Sequence, residues 1–261
     1  METLTIPDKI EQETIAAFLE TGTRYSNVGI PVSGGKDSEV VAILAKKFTQ
    51  FFSSLTFFSV MTNYKFVETF SHLRYLNDAL NLNLQVFIAY DEEPKIFRGS
   101  GIKTHLLPNF YETFQEENSS NQILGAKRCC ELLKVMPFQF ALDHFGFDAW
   151  ISGTRKSEGG VRKDFTVFQE NRGRMMVSPI LEWERDKVFA FIKREGFKVN
   201  ELYERGYISL GCQPCTRIPR PGEDERTCRF RNREEKECEL CVDKKEFRRK
   251  LILLLKKLPG H

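Results

Sequence analysis

One stretch constrains the fold more than any other. A short β-rich run, Val28 to Val32, leads into Ser33-Gly34-Gly35-Lys36-Asp37-Ser38, and Val40, Val41, Leu44, Ala45 and Phe48 then recur at helical spacing. Strand, glycine-rich loop and helix follow one another without a spacer. The glycines let backbone N–H groups approach a phosphate without side-chain interference. The helix starting near Asp37 adds its unsatisfied N–H groups and the positive end of its dipole. Lys36 supplies a cation, and Ser33 and Ser38 supply hydroxyl donors. The loop is not a Walker A sequence, which needs four residues between Gly and Gly-Lys. It is expected to bind the phosphates of a nucleotide.

The pattern continues in alternation. Residues 1–25 read as a helical lead-in, with Ile10, Ile15, Ala16, Phe18 and Leu19 on roughly one side. Leu55 to Met61 and Leu84 to Ala89 read as strands with helical sequence between them. Asp91 to Asn121 reads as a polar, irregular excursion. Met136 to His144 reads as a helix, Ala149 to Ser152 and Met175 to Ile180 as strands, and Glu182 to Glu195 as an amphipathic helix. Such alternation indicates an α/β domain with a mostly parallel sheet flanked by helices.

From about Gly206 the character changes to Cys, Pro, Arg and Glu. We therefore divide the chain into a nucleotide-binding α/β domain, 1–205, and a Cys-rich C-terminal extension, 206–261. The extension ends in a basic amphipathic helix, Lys244 to Lys257, with Phe247, Leu251, Leu254 and Leu255 on its apolar side. That helix reads as a docking element with a solvated basic face, or as a surface for a polyanion.

The formal net charge of +3 does not by itself imply nucleic acid. No apolar run approaches the length of a membrane span, and the N-terminus lacks the basic-then-apolar order of a signal peptide. The expected location is the cytoplasm, away from membranes. His72, His105 and His144 share no metal-ligand spacing. The 23 Phe residues form no clustered stripe for base stacking.

Seven cysteines occur: Cys129, Cys130, Cys212, Cys215, Cys228, Cys238 and Cys241. An odd number in a reducing compartment argues against a disulfide framework. Cys129-Cys130 and Cys212-x-x-Cys215 together supply four thiolates, which suit a tetrahedral zinc or a cubane iron–sulfur cluster. Adjacent cysteines are awkward as two ligands of one zinc, which favours [4Fe–4S].

The loop Ser33 to Ser38 resembles that of the PP-loop, or adenine nucleotide α-hydrolase-like, superfamily, whose ATP-using members cleave between the α and β phosphates. Lys127-Arg128-Cys129-Cys130-Glu131-Leu132-Leu133-Lys134-Val135 resembles the double-cysteine segment of bacterial and plant adenylyl-sulfate (APS) reductases, in the PAPS reductase family. Gly206 to Arg217 resembles their second cysteine segment, and Pro221 to Arg226 with Arg229-Phe230 their C-terminal region. The resemblance implies a [4Fe–4S] cluster on Cys129, Cys130, Cys212 and Cys215, with Lys134 beside it as a catalytic cation. It implies anion binding by Arg155 and Arg162, in the stretch opening Gly153-Thr154-Arg155, and by Arg226; forked, permanently charged guanidinium groups suit that role. Thr62, after the second strand, is expected at the nucleotide edge.

The family's nucleophilic cysteine matches Cys238, in Glu237-Cys238-Glu239-Leu240-Cys241. It would attack the sulfur of a sulfonucleotide, and a thioredoxin-like thiol carrier would release sulfite. Lys236, Arg231 and Arg233 would favour the thiolate. This chain departs from the family in keeping Lys36, in placing Glu239 and Cys241 in the tail motif, and in continuing beyond it. Those departures support a rival expectation: an ATP pyrophosphatase, using Mg2+, that adenylates DNA or tRNA for sulfur insertion with a cysteine desulfurase as partner. Cys228, Cys238 and Cys241 could instead form a small metal or persulfide-handling cluster. Assembly of identical chains is left open.

Overall fold

The computed structural model of the chain describes residues 7–89, 93–107, 129–223 and 225–229. Cys238, Cys241 and the basic stretch 244–257 lie outside them, as do Lys127 and Arg128.

The first helix, α1, spans Lys9–Arg24, capped by the Asp8 carboxylate, which accepts from the Glu11 N–H at 2.9 Å. Then follow β1 (Asn27–Pro31), α2 (Lys36–Lys47), β2 (Ser54–Met61), α3 (Val67–Leu80), β3 (Gln85–Ala89) and β4 (Lys103–Leu107). The chain resumes with a π turn, Glu131–Val135, running into α4 (Met136–Phe145). β5 (Ala149–Ile151), β6 (Phe168–Asn171), β7 (Arg174–Val177) and α5 (Arg185–Arg194) are the remaining strands and α-helix among the described residues.

Among the described residues seven strands form one sheet in the order β4-β3-β2-β1-β5-β7-β6. Neighbours pair in parallel except β6 with β7. That hairpin turns through Arg172 and Gly173, both at positive φ (56° and 71°), the conformation a two-residue hairpin loop requires. The order reverses at β1, so the loops leaving β1 and β5 diverge from neighbouring strand ends. Such a switch point is where open α/β sheets bind ligands.

Both faces of the sheet are covered, which is why the inner strands read as continuous apolar runs. Val28, Ile30, Phe57, Val86 and Ile88 belong to one core with α2 and α5. Phe58 and Phe87 point to the other face, where Phe138, Ala141 and Leu142 of α4 meet them. Each such fully buried side chain contributes about 1.5–3 kcal/mol of transfer free energy.

Several sequence expectations change. The excursion 91–121 contains β4, which pairs along β3 from Gln85↔Lys103 to Ala89↔Leu107. Its short polar sequence carries little strand signal, but the open edge of β3 gives its backbone partners. The strand expected over 175–180 ends at Val177, because Pro179 has no N–H for a ladder. In α1 the buried face is Glu11, Thr14, Ala17, Phe18 and Thr21, not the Ile10 side; Ile10 is 36% exposed. Polar partners on and before α5 draw that face inward. The Thr14 hydroxyl donates to Pro179 O at 2.9 Å and accepts from Trp183 Nε1 at 2.9 Å. Glu11 accepts from Lys187 and Arg194.

Candidate active site

The loop after β1 closes on itself before it offers anything to a ligand. Ser38 Oγ accepts from the Ser33 N–H at 3.0 Å and donates to Gly35 O at 2.9 Å. Gly34 takes φ 77°, where a Cβ would also lie 2.8 Å from Thr69 Cγ2. Gly35 is the N-cap of α2 and has no side chain to satisfy the first N–H groups. Gly153, after β5, packs against this helix start; a Cβ there would lie 2.7 Å from Asp37 C and O. The two loops of the switch point are thus in backbone contact, which only glycine permits. Beneath them Glu39 of α2, fully buried, pairs with His72 of α3 at 2.9 Å, and burial pushes the Glu39 carboxyl above its ordinary value.

A cavity of ≈ 230 Å³ opens over the loop. Its lining includes Lys36, Lys65, Lys134, Arg162, Arg226 and Arg229 against only Asp37 and Glu158 as acids. Basic side chains outnumber acidic ones in this lining among the described residues. Glu158 spaces two of the guanidinium groups, at 3.2 Å from Arg162 Nε and 3.5 Å from Arg226 Nη1. Arg229 Nη1 donates to Leu210 O and to Ser209 Oγ, so the segment before Cys212 is held at the rim.

Lys36 and Arg155 behave differently from the expectation that they face a ligand directly. Lys36 Nζ donates to Asp37 Oδ2 at 3.1 Å and to Glu225, its side chain only 1% exposed. Arg155 is fully buried: Nε donates to Asp37 Oδ1 at 2.6 Å and Nη2 to both Glu225 oxygens at 2.9 Å. Burial works against the Lys36 ammonium, yet Asp37 and Glu225 outweigh it and hold its pKa above the ordinary lysine value. Burial likewise opposes ionised Asp37, and Lys36 with Arg155 hold that carboxyl below its usual range. Two cations and two carboxylates therefore form one closed network.

Tyr203 completes the loop's surroundings and was not foreseen from the sequence. Its hydroxyl accepts the Lys36 backbone N–H at 2.9 Å. Burial pushes the phenol up, so it keeps its proton to donate. Asn200, fully buried, donates to Gly34 O at 3.3 Å. No spacing rule links residues 200 and 203 to a loop at 33–38. Glu158 was equally invisible, and Glu225 lay in the matched segment Pro221 to Arg226 with no role assigned to it.

The cysteine segments border the same cavity. Cys129 and Cys130, both half-buried, open the π turn that carries Lys134 to the lining. Cys212 precedes and Cys215 ends a 3₁₀ turn, Gln213–Cys215, docked on the chain after β2: the Gln213 N–H donates to Tyr64 O at 2.7 Å, and Lys65 bridges to Cys212. Thr62, buried, lies against this segment, with Oγ1 3.3 Å from Cys212 Sγ. The donor set fits a cubane cluster. Four cysteines are present as two pairs, all half-buried, and four thiolates are the donor number such a cluster takes. Cys228 does not join them. It is fully buried, its thiol donates to Glu225 O at 3.3 Å, and burial pushes its pKa up, away from the reactive thiolate.

Comparison with known proteins bears on this arrangement. The phosphoadenosine phosphosulfate reductase domain matches residues 27–218. An adenosine 5'-phosphosulfate reductase of Rhizobium tropici is 35% identical over 140 residues, which are 52% of this chain and 72% of that protein. A phosphoadenosine 5'-phosphosulfate reductase of Aliivibrio fischeri is 29% identical over 189 residues, 72% of this chain and 69% of that protein. In other matched relatives the shared stretch is half the length or slightly less, at 50% and 48%. The phosphoadenylyl-sulfate reductase of Candida auris, solved with phosphate, superposes with a TM-score of 0.59 at 18% identity, over 81% of this chain and 98% of that one. That likeness speaks to the fold, and the domain match carries the kinship: the chain belongs to the phosphoadenosine phosphosulfate reductase domain family, built on the PP-loop α/β fold.

Proposed function

We propose that this chain is a sulfonucleotide reductase that converts adenylyl sulfate, or its 3′-phosphorylated form, to sulfite and the corresponding nucleoside monophosphate. One observation carries the reading. A single basic cavity is bordered by the nucleotide loop, by Lys134 next to the double cysteine, and by Ser209-Leu210 leading into Cys212. The nearness of a candidate phosphate loop to two cysteine segments supports the reading.

In this reading the loop N–H groups and Arg162, Arg226 and Arg229 hold the phosphate and sulfonyl oxygens. The Cys238 thiolate attacks the sulfur; the S–O bond to phosphate breaks, and the nucleotide leaves with the bonding pair. Cys238 then carries an S-sulfonate. A thiolate of a reduced, thioredoxin-like carrier attacks Cys238 Sγ and expels sulfite. The carrier's second thiol resolves the mixed disulfide, so its dithiol supplies the two electrons. The role of Cys238 rests on the tail motif alone, since it lies outside the described residues. A [4Fe–4S] cluster held by Cys129, Cys130, Cys212 and Cys215 would tie the two cysteine segments together beside the cavity. A reducing, cytoplasmic setting belongs to the same proposal.

The complete loop, with Lys36, favours the second reading, an ATP pyrophosphatase serving sulfur insertion into nucleic acid. Against it stands the engagement of Lys36 Nζ by Asp37 and Glu225. One side-by-side experiment separates the two. Anaerobically purified protein is incubated with adenylyl sulfate plus reduced thioredoxin, and separately with ATP. Sulfite release lost in Cys238→Ser supports the reductase. Absence of sulfite at every concentration, with pyrophosphate release lost in Lys36→Ala, overturns it. The same preparation should be brown and hold about four irons; a colourless protein containing only zinc removes the cluster.

A further inference from the structure

Glu225 is the one acidic side chain that reaches the loop from the far end of the described chain. Its carboxylate accepts from Lys36 Nζ with one oxygen and from Arg155 Nη2 with both, at 2.9 Å. All three side chains are buried, with 8%, 1% and 0% of their surfaces exposed for Glu225, Lys36 and Arg155. The carboxylate is firmly presented. Cys228 Sγ donates to Glu225 O, the Arg217 N–H donates to Cys228 O at 3.1 Å, and Thr216 bridges to Arg229. An anion of the protein itself thus occupies the lysine of a phosphate loop.

From this geometry we infer that Glu225 is a specificity-determining residue, an internal counter-anion that excludes nucleotides carrying β and γ phosphates. A polyphosphate tail directed at Lys36 must either displace Glu225 or sit beside its charge in a poorly solvated site, where like charges repel strongly. A nucleotide with a single phosphate, bearing a sulfonyl group or nothing, needs neither adjustment, because it carries no β or γ phosphate to direct at Lys36. Selection by a built-in repulsive group is a general way to separate ligands that share a head group. The retained lysine is then compatible with a sulfonucleotide site: it anchors Glu225 instead of a β phosphate.

The inference rests on the reading that the loop binds an adenine nucleotide, and its test reads binding, not turnover. Full-length protein is titrated calorimetrically with AMP, ATP and inorganic pyrophosphate. Wild type is expected to bind ATP no more tightly than AMP. Glu225→Gln, which removes the charge and keeps the shape, is expected to tighten ATP and pyrophosphate at least tenfold while AMP changes less than threefold. Adding Lys36→Met should abolish that gain. Unchanged ATP affinity in folded Glu225→Gln overturns the inference, as does a gain that survives Lys36→Met. If the glutamine variant does not fold, the wild-type ratio decides: ATP bound tenfold more tightly than AMP overturns it. Sulfite release can fail with this selectivity intact, so the two readings fall separately.

Discussion

At the residue scale, Gly153 does as much for the site as any charged group. It is the point where the loop after β5 touches the first turn of α2, and the neighbour a side chain would meet is backbone, Asp37 C and O at 2.7 Å. A flexible side chain could yield; a helix start closed by Ser33, Gly35 and Ser38 cannot. Gly153→Ala is therefore expected to lower stability by about 1–3 kcal/mol through overpacking. It should also weaken AMP binding at least tenfold, about 1.4 kcal/mol. Thermal melting and AMP titration check both, and wild-type affinity in the variant would refute the contact's importance. Residues such as Lys36 and Arg155 show the converse. Their types announced anion binding, yet their partners are Asp37 and Glu225. A side chain's type states which interactions it can make, and its surroundings state which it makes.

At the scale of elements, the junction of α1 with the segment entering α5 is polar where an apolar stripe was expected. Thr14 links both: its hydroxyl donates to Pro179 O and accepts from the indole of Trp183, itself 1% exposed. Thr14→Val keeps the volume but leaves a buried indole N–H without its acceptor. The expected cost is about 1–3 kcal/mol, seen as a fall of several degrees in melting temperature, while Thr14→Ser should retain most of the stability. The π turn Glu131–Val135 is a second element-level device. The wider turn changes which residues after Cys130 face the sheet, and π turns concentrate at functional sites for that reason. Here it brings Lys134 to the cavity while Leu132, Leu133 and Val135 stay buried.

At the scale of the whole molecule, the acidic limit of stability follows from two carboxyls held down. Asp37 is lowered by Lys36 and Arg155 despite its burial. Glu223 is lowered to about 2, first by the paired Arg217 bonds at 2.6 and 2.7 Å and then by the Arg220 N–H. A folded pKa below the unfolded one adds stability above the ordinary carboxylate value, near about 4. That stability disappears as pH falls through the folded value. Glu39 has the opposite sign, its raised carboxyl favouring lower pH. The melting temperature should therefore stay high into mild acid and fall steeply from about pH 4 downward, as Asp37 and Glu223 protonate. Circular dichroism melts from pH 7 to pH 2 test this. A decline already complete by pH 5 would contradict the assignment.

Much of this was legible without coordinates. Strand, loop and helix around Ser33 to Ser38 are local in the chain, and local order follows from apolar spacing and glycine placement. The cysteine pairs were likewise visible as pairs. The parallel sheet flanked by helices follows from the alternation of strands and helices. What had to come from the tertiary structure is every relation between distant segments: β4 completing the edge of β3, Tyr203 capping the loop 167 residues away, and Glu225 seated on Lys36 across 189 residues. Periodicity records how a segment meets its own neighbours. A salt bridge between residues 36 and 225 is chosen only when the sheet closes and the chain returns over the switch point, and that return gave a lysine expected to meet phosphate an anion of the chain's own.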